Sequence, residues 1–163
     1  MPTVSVDKRE LILLRMKAIL DDVPGIISAW RDRGEIPPTD KETAAANLPA
    51  LVLLDGTEDI KISTSGKNQY GKIPATIFTL KPQIYIILMP QAEPLNTLGE
   101  LLSAFRISIY KAITTDPGLL GLLGTSGGIE YRGSVSDMQS GGSLEGQMRL
   151  DFWLDYVFNP AEL

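Results

Sequence analysis

Hydrophobic positions recur along the chain with two periods, one typical of helices and one typical of strands. Apolar residues repeat every three or four positions from about Asp7 to Asp21 and from Leu95 to Thr115, which predicts two main helices. Apolar positions cover more than half of the first helix. This favours a helix that packs into a core on one side and onto a neighbour on another. Pro24-Gly25 predicts its end.

The remaining hydrophobic segments have the pattern of strands. The last is the clearest, because apolar and polar residues alternate from Met148 to Phe158, with Trp153 on the face opposite the main apolar one. A short helical turn is predicted over 119–123. Pro82 lacks an N–H donor, which predicts a sheet edge or a bulge there. The five predicted strands are Ile26–Arg33, Leu48–Leu54, Ile77–Pro90, Ile129–Gly133 and Met148–Phe158.

This order of elements predicts an α+β fold. Two helices would pack on a mixed or antiparallel sheet of about five strands, in a single domain over residues 1–163. Two polar stretches, about 57–74 and 134–146, are predicted to be flexible loops, and a protruding hairpin is the alternative for the first.

Composition excludes several kinds of chemistry. The chain has 163 residues with no histidine and no cysteine, so disulfides, thiolate nucleophiles and His-based catalysis are absent from it. The net charge of −5 argues against nonspecific binding of phosphate backbones. No apolar run approaches the length that crosses a bilayer, which is about 20 residues. We therefore expect no membrane association, and the missing histidine and cysteine leave few ligands for a metal, so no metal-binding residue is assigned.

Three short motifs resemble catalytic or metal sites only in part. The segment from Gly66 to Lys72 has phosphate-loop spacing, but Ile73 stands where a magnesium-binding Ser or Thr belongs. Ser126, between glycines, resembles a protease nucleophile, yet no histidine can serve it, and a helix-to-strand turn is the simpler interpretation.

The third motif is a possible calcium loop. Asp55, Thr57 and Asp59 alternate as calcium ligands do, but Ile60 and Gly66 occupy the positions that need Gly and Glu. A solvated turn is the preferred interpretation. The aromatic residues of the last strand could stack on bases, but without surrounding cations we interpret Trp153 as an interface residue.

As a whole, the chain resembles the tail terminator (tail completion, or tail-to-head joining) proteins of lambda-type long-tailed bacteriophages. The resemblance spans about residues 9–158 and depends on the order and spacing of hydrophobic segments and turns. These segments are the opening helix Arg9–Leu20 with Val23-Pro24-Gly25, Leu48–Gly56 followed by Glu58, Pro82–Ile86, Leu95–Leu98, Asp116–Leu120, Ile129–Gly133 and the final strand.

The resemblance implies a virion structural protein at the tail–neck junction, made in the host cytoplasm. Such a subunit forms a hexameric ring with copies of itself, caps the tail tube protein, stops tube growth and offers a surface to the head-completion or neck protein. DNA passes through the ring without specific binding, and we hypothesise that an acidic lumen lets it slide. The family implies no enzymatic activity and no cofactor.

A ring predicts contacts through loops and rim charges. The alternatives to a tail terminator function are another neck or head-completion component, a small nucleotide-binding or hydrolytic enzyme that uses Lys72 or Ser126, and a generic binding module. The candidate interface residues are Arg31, Arg33, Asp55, Glu58, Asp59, Lys67, Tyr70, Lys72, Met138 and Trp153.

Overall fold

Three helices and five strands make up the described part of the chain. The computed structural model describes residues 7–32, 48–63, 76–88, 95–138 and 146–158. In chain order the elements are α1 (Lys8–Asp21), β1 (Ser28–Arg31), β2 (Ala50–Ser63), β3 (Thr76–Ile87), α2 (Leu95–Thr115), α3 (Pro117–Leu123), β4 (Gly128–Met138) and β5 (Gly146–Phe158). The predicted α+β fold with a mixed five-stranded sheet is confirmed, with α3 as a third helix.

The helix boundaries follow from local chemistry. The Asp7 carboxylate accepts a hydrogen bond from the Arg9 N–H at 3.1 Å, which caps the first turn of α1. Asp116 caps α3 in the same way through the Leu119 N–H at 2.7 Å, and Pro117 opens that helix. No helix of the described ranges is long and apolar enough to cross a membrane.

The sheet has the strand order β1-β2-β3-β5-β4. β1 runs parallel to β2, and the other neighbours are antiparallel. Pro82 therefore lies in an interior strand, and its placement at a sheet edge is wrong. The bulge alternative is confirmed, because β2 shifts register between Leu54 and Thr57 opposite this proline.

Both predicted loops begin as strand, which corrects their boundaries. Thr57 to Ser63 continues β2 and pairs antiparallel with β3, in agreement with the hairpin alternative. Ser134 to Met138 continues β4 against β5. These segments look like loops in the sequence because several of their side chains are polar and exposed, while the backbone pairing that makes them strands leaves no hydrophobic signature. The remainder of each predicted loop lies outside the described residues.

The helices cover one face of the sheet and form the core there. That core joins Ile12, Leu13 and Met16 of α1 to Ile109 and Ile113 of α2 and to alternate residues of β2, β3 and β5. The opposite face carries a smaller apolar cluster beside β1, which consists of Leu48, Ala50, Val52 and Ile87 with Trp30, Leu54 and Tyr85 packed against it. The part of that face around Trp153 carries most of its charged residues and is described below.

Candidate functional site

A network of charged side chains ties the start of α1 to the helix-covered face of the sheet. Arg31 of β1 donates to both carboxylate oxygens of Glu10, at 2.6 and 2.9 Å. It also donates to both oxygens of Asp55, each at 2.8 Å. Two paired contacts from one guanidinium hold α1, β1 and β2 together with a defined geometry.

The network extends to the far end of β5. Arg9 lies 3.4 Å from a Glu58 oxygen and 3.7 Å from an Asp55 oxygen. The Tyr156 hydroxyl donates to Glu58. We call Arg9, Glu10, Arg31, Asp55, Glu58 and Tyr156 the α1 network. It joins α1 to β1, β2 and β5, so four elements depend on its charges.

Hydrogen bonds and burial shift the pKa values of several side chains in this region. The hydrogen bond from Arg31 holds the pKa of Asp55 and that of Glu10 below their usual values. Asp32, which accepts the Asp55 N–H at 3.0 Å, has a raised pKa, chiefly because burial disfavours its charged form. Burial, with Glu58 as the second cause, raises the pKa of Tyr156, so this hydroxyl stays protonated and donates.

The open face of the sheet has a different centre, the half-buried Trp153 of β5. Lys81 Nζ lies 4.4 Å from the centroid of its ring, and Arg132 Cζ lies 4.1 Å from it. The two cations come from β3 and β4, the strands that flank β5. Distances of this size are those of cation–π contacts. We call Lys81, Arg132 and Trp153 the Trp153 cluster.

Backbone irregularities on β2 and β4 coincide around this cluster. On β2, Asp55 and Gly56 form the bulge opposite Pro82, and on β4 the register shifts at Arg132. Gly56 has φ +70°, and a Cβ there would lie 1.9 Å from the Lys81 carbonyl oxygen, so only glycine fits. The bulge directs Asp55 towards Arg31 and places Thr57 at the open face.

These irregularities leave a pocket of about 370 Å³ beside Trp153. Its lining includes both cations of the cluster, with Thr57, Gln83 and a single carboxylate, Asp151. Arg149 Nε lies 3.2 Å from Asp151, so that carboxylate already has a counter-ion.

Further charge pairs lie around the pocket on the same face. Lys81 pairs with Asp59 at 2.5 Å, and Arg132 pairs with Glu130 at 2.5 Å. Lys61 pairs with Asp155 at 2.5 Å. Glu130 and Asp59 are both more than half exposed. Exposed pairs of this kind contribute little to stability and exchange readily with other partners.

Apolar side chains also face outward on all three helices. On α1, Leu14 is 50% exposed and Leu11 is 38% exposed, one turn apart. On α2 the exposed members are Leu101, Ile107 and Tyr110, and on α3 it is Leu120. The prediction that α1 has apolar residues on more than its core side is confirmed.

The structure separates the predicted interface residues into groups. Arg31, Asp55 and Glu58 meet in the α1 network, whereas Asp59 and Trp153 lie at the open face. Met138 ends β4 opposite Gly146. Whether these residues also contact another subunit stays a prediction. Outside the described residues lie Arg33, Lys67, Tyr70 and Lys72.

The catalytic and metal motifs can also be placed in part. Asp55 faces Arg31 while Asp59 faces Lys81, so the proposed calcium ligands do not converge. Within the described ranges, no three acidic residues are arranged to hold a metal ion. Ser126 lies in the turn between α3 and β4, where Gly124 has φ +81° as the turn interpretation requires. The phosphate-loop motif lies outside the described residues.

Sequence reasoning missed the cations of the Trp153 cluster. Lys81 and Arg132 are 72 and 21 positions from Trp153 in the chain, so no local motif joins them. The available signal was Gly133 after Arg132, since a glycine inside a strand suggests a bulge. The interpretation of Trp153 assumed that no cations surround it, and the structure corrects that assumption.

The comparisons with known proteins do not identify a family. No protein-family model matches the chain, and no curated protein is significantly similar to it. Functional statements about this protein therefore depend on its residues and their geometry.

Proposed function

We propose that this protein is a structural assembly subunit that works as a ring, in the manner of a phage tail terminator. The observation that carries the proposal is the exposure of apolar side chains on the outer sides of all three helices. Six apolar side chains on these helices are each more than one third exposed, and contact with another protein would bury them. The proposed role is to cap the tail tube, stop its growth and present a surface for joining the head, a role that needs no catalysis.

A ring needs two different contact surfaces on each subunit, and this subunit has two. A closed ring requires a heterologous interface, in which two different patches of the subunit meet. The helix side and the open side of this sheet differ in chemistry, since the first exposes Leu11 and Leu14 and the second exposes charge pairs around Trp153. One subunit thus has two distinct surfaces for its neighbours, the tube and the neck.

The oligomeric state tests the proposal. Light scattering coupled to size exclusion is expected to show assemblies of about six subunits, at high concentration or in the presence of tail tubes. Leu14→Lys should abolish the assembly, because it buries a charge at the apolar contact. Thr125→Lys, in the exposed turn after α3, is the matched control and should assemble normally.

Two results would contradict the ring. One is a monomer under every condition, including with assembled tubes present. The other is an assembly that Leu14→Lys and Thr125→Lys affect equally, with both variants folded by circular dichroism. The biological readout is tube length, since the wild-type protein should stop elongation of purified tube subunits and folded Leu14→Lys should not.

A further inference from the structure

We propose that the pocket beside Trp153 binds an acidic peptide segment of a partner protein, with Arg132 and Lys81 as the residues that take its carboxylates. The pocket holds about 370 Å³, enough for one or two side chains. A large aromatic ring between two long cationic side chains has the composition of an interface hot spot.

Charge complementarity selects an acidic occupant. The lining contains two cations and one carboxylate, Asp151, and that carboxylate is held from the side by Arg149 at 3.2 Å. Among the lining residues, Arg132 and Lys81 therefore face one carboxylate that Arg149 already pairs, while their own partners Glu130 and Asp59 are not lining residues. A guanidinium stacked on an aromatic ring keeps its edge N–H groups free to pair with a carboxylate.

The existing partners of the two cations can be replaced. Glu130 is 58% exposed and Asp59 is 57% exposed, and both lie at the margin of the pocket. Solvent-exposed ion pairs are worth about 0–1 kcal/mol. The two cations can therefore leave these partners for an incoming carboxylate at small cost.

The same features argue against a nucleic acid in this place. The cations of this face form no continuous path, because an acidic partner lies beside each of them: Asp155 beside Lys61, Asp59 beside Lys81, Glu130 beside Arg132 and Asp151 beside Arg149. A strand of phosphates needs an excess of cations along its path. Hydrogen-bonding groups at Thr57 and Gln83 suit a peptide backbone instead.

Fluorescence of Trp153 tests the proposal directly. The chain has two tryptophans, so Trp30→Phe leaves Trp153 as the sole reporter. Titration with acetyl-(Glu-Gly)₃-amide is expected to change its emission saturably, while acetyl-(Gln-Gly)₃-amide gives no saturable change. Arg132→Gln and Lys81→Gln should each weaken binding by about tenfold, as expected on loss of one charge-assisted contact. Added salt should also weaken it.

Calorimetry with the unmodified protein gives an answer even where Trp30→Phe fails to fold. Three results would each overturn the proposal. The first is an equal response to both peptides, and the second is unchanged binding of the acidic peptide by folded Arg132→Gln. The third is a protein that binds oligothymidine saturably but does not bind the acidic peptide. The pocket exists within one subunit, so it should bind the peptide in a monomer as in a ring. Loss of ring formation and loss of peptide binding are therefore separate results.

Discussion

The two faces of the sheet carry the same kinds of charged residue, but these residues differ in how deeply they are buried and in what they bind. In the α1 network, Arg31 and Asp55 are each less than one fifth exposed, and every bond joins distant parts of the chain. At the open face, Arg132 and Glu130 are both more than two fifths exposed and lie two residues apart on one strand. Burial and long-range bonding make the first set part of the fold, while exposure leaves the Arg132–Glu130 pair able to exchange partners.

Gly56 separates the two regions, and its substitution should have the largest effect. Gly56→Ala would place a Cβ 1.9 Å from the Lys81 carbonyl at φ +70°, which the bulge cannot accept without moving. We expect a loss of about 3 kcal/mol or more in the free energy of unfolding, measured by urea denaturation.

Gly121→Ala is the control for this prediction. Gly121 lies in α3, and the space that an alanine methyl would occupy there has no neighbouring atom within 4 Å, so alanine should be neutral or stabilise by about 0.5–1 kcal/mol. If Gly56→Ala proved as stable as Gly121→Ala, the bulge would not be the constraint that directs Asp55 and Thr57 to opposite faces.

Loss of an arginine should distinguish the two faces. Arg31→Met leaves Glu10 and Asp55 without their shared partner, and we expect it to cost about 2–3 kcal/mol in the free energy of unfolding. Arg132→Met removes an exposed pair and one cation–π contact, so its cost should stay within about 1 kcal/mol. Urea denaturation measures both, and equal costs would contradict the comparison.

Acid should weaken the α1 network before it affects the core. The pKa values of Glu10 and Asp55 are lowered below their usual 4.5 and 3.8 by Arg31, and Arg15 lowers that of Asp116 in the same way. These groups bind fewer protons folded than unfolded, so their stabilisation is full above about pH 5 and is lost as the pH falls below about 4. Asp32, whose pKa is raised, opposes this trend and offsets part of the loss.

Urea midpoints at pH 7 and pH 3 measure this dependence. Arg31→Met should flatten it, since Glu10 and Asp55 then lose the hydrogen bonds that lower their pKa values. Arg132→Met should leave it unchanged. A wild-type midpoint independent of pH across this interval would show that the network contributes no proton-linked stability.

The periodic elements could be predicted from the sequence because their signal is local. The helix predicted over Leu95 to Thr115 forms α2 with those bounds, and the predicted start of the alternating β5 is within two residues of the observed one. The extension of β4 was missed and that of β2 was predicted only as the hairpin alternative, because several side chains in both are polar and exposed. Pro82 correctly indicated a bulge. Its position in an interior strand could not be predicted, because β3 is enclosed by β2 and β5, and β5 lies far away in the chain.

Periodicity and composition are enough to establish the class of fold, the two long helices and the exclusion of histidine and cysteine chemistry, because neighbouring residues carry those signals. Only the tertiary structure decided that Asp55 and Asp59 face opposite sides, that Arg31 joins Glu10 to Asp55, and that Lys81 and Arg132 flank Trp153. Strand order and bulges set those neighbours, and the cations they bring to Trp153 lie up to 72 residues from it in the chain.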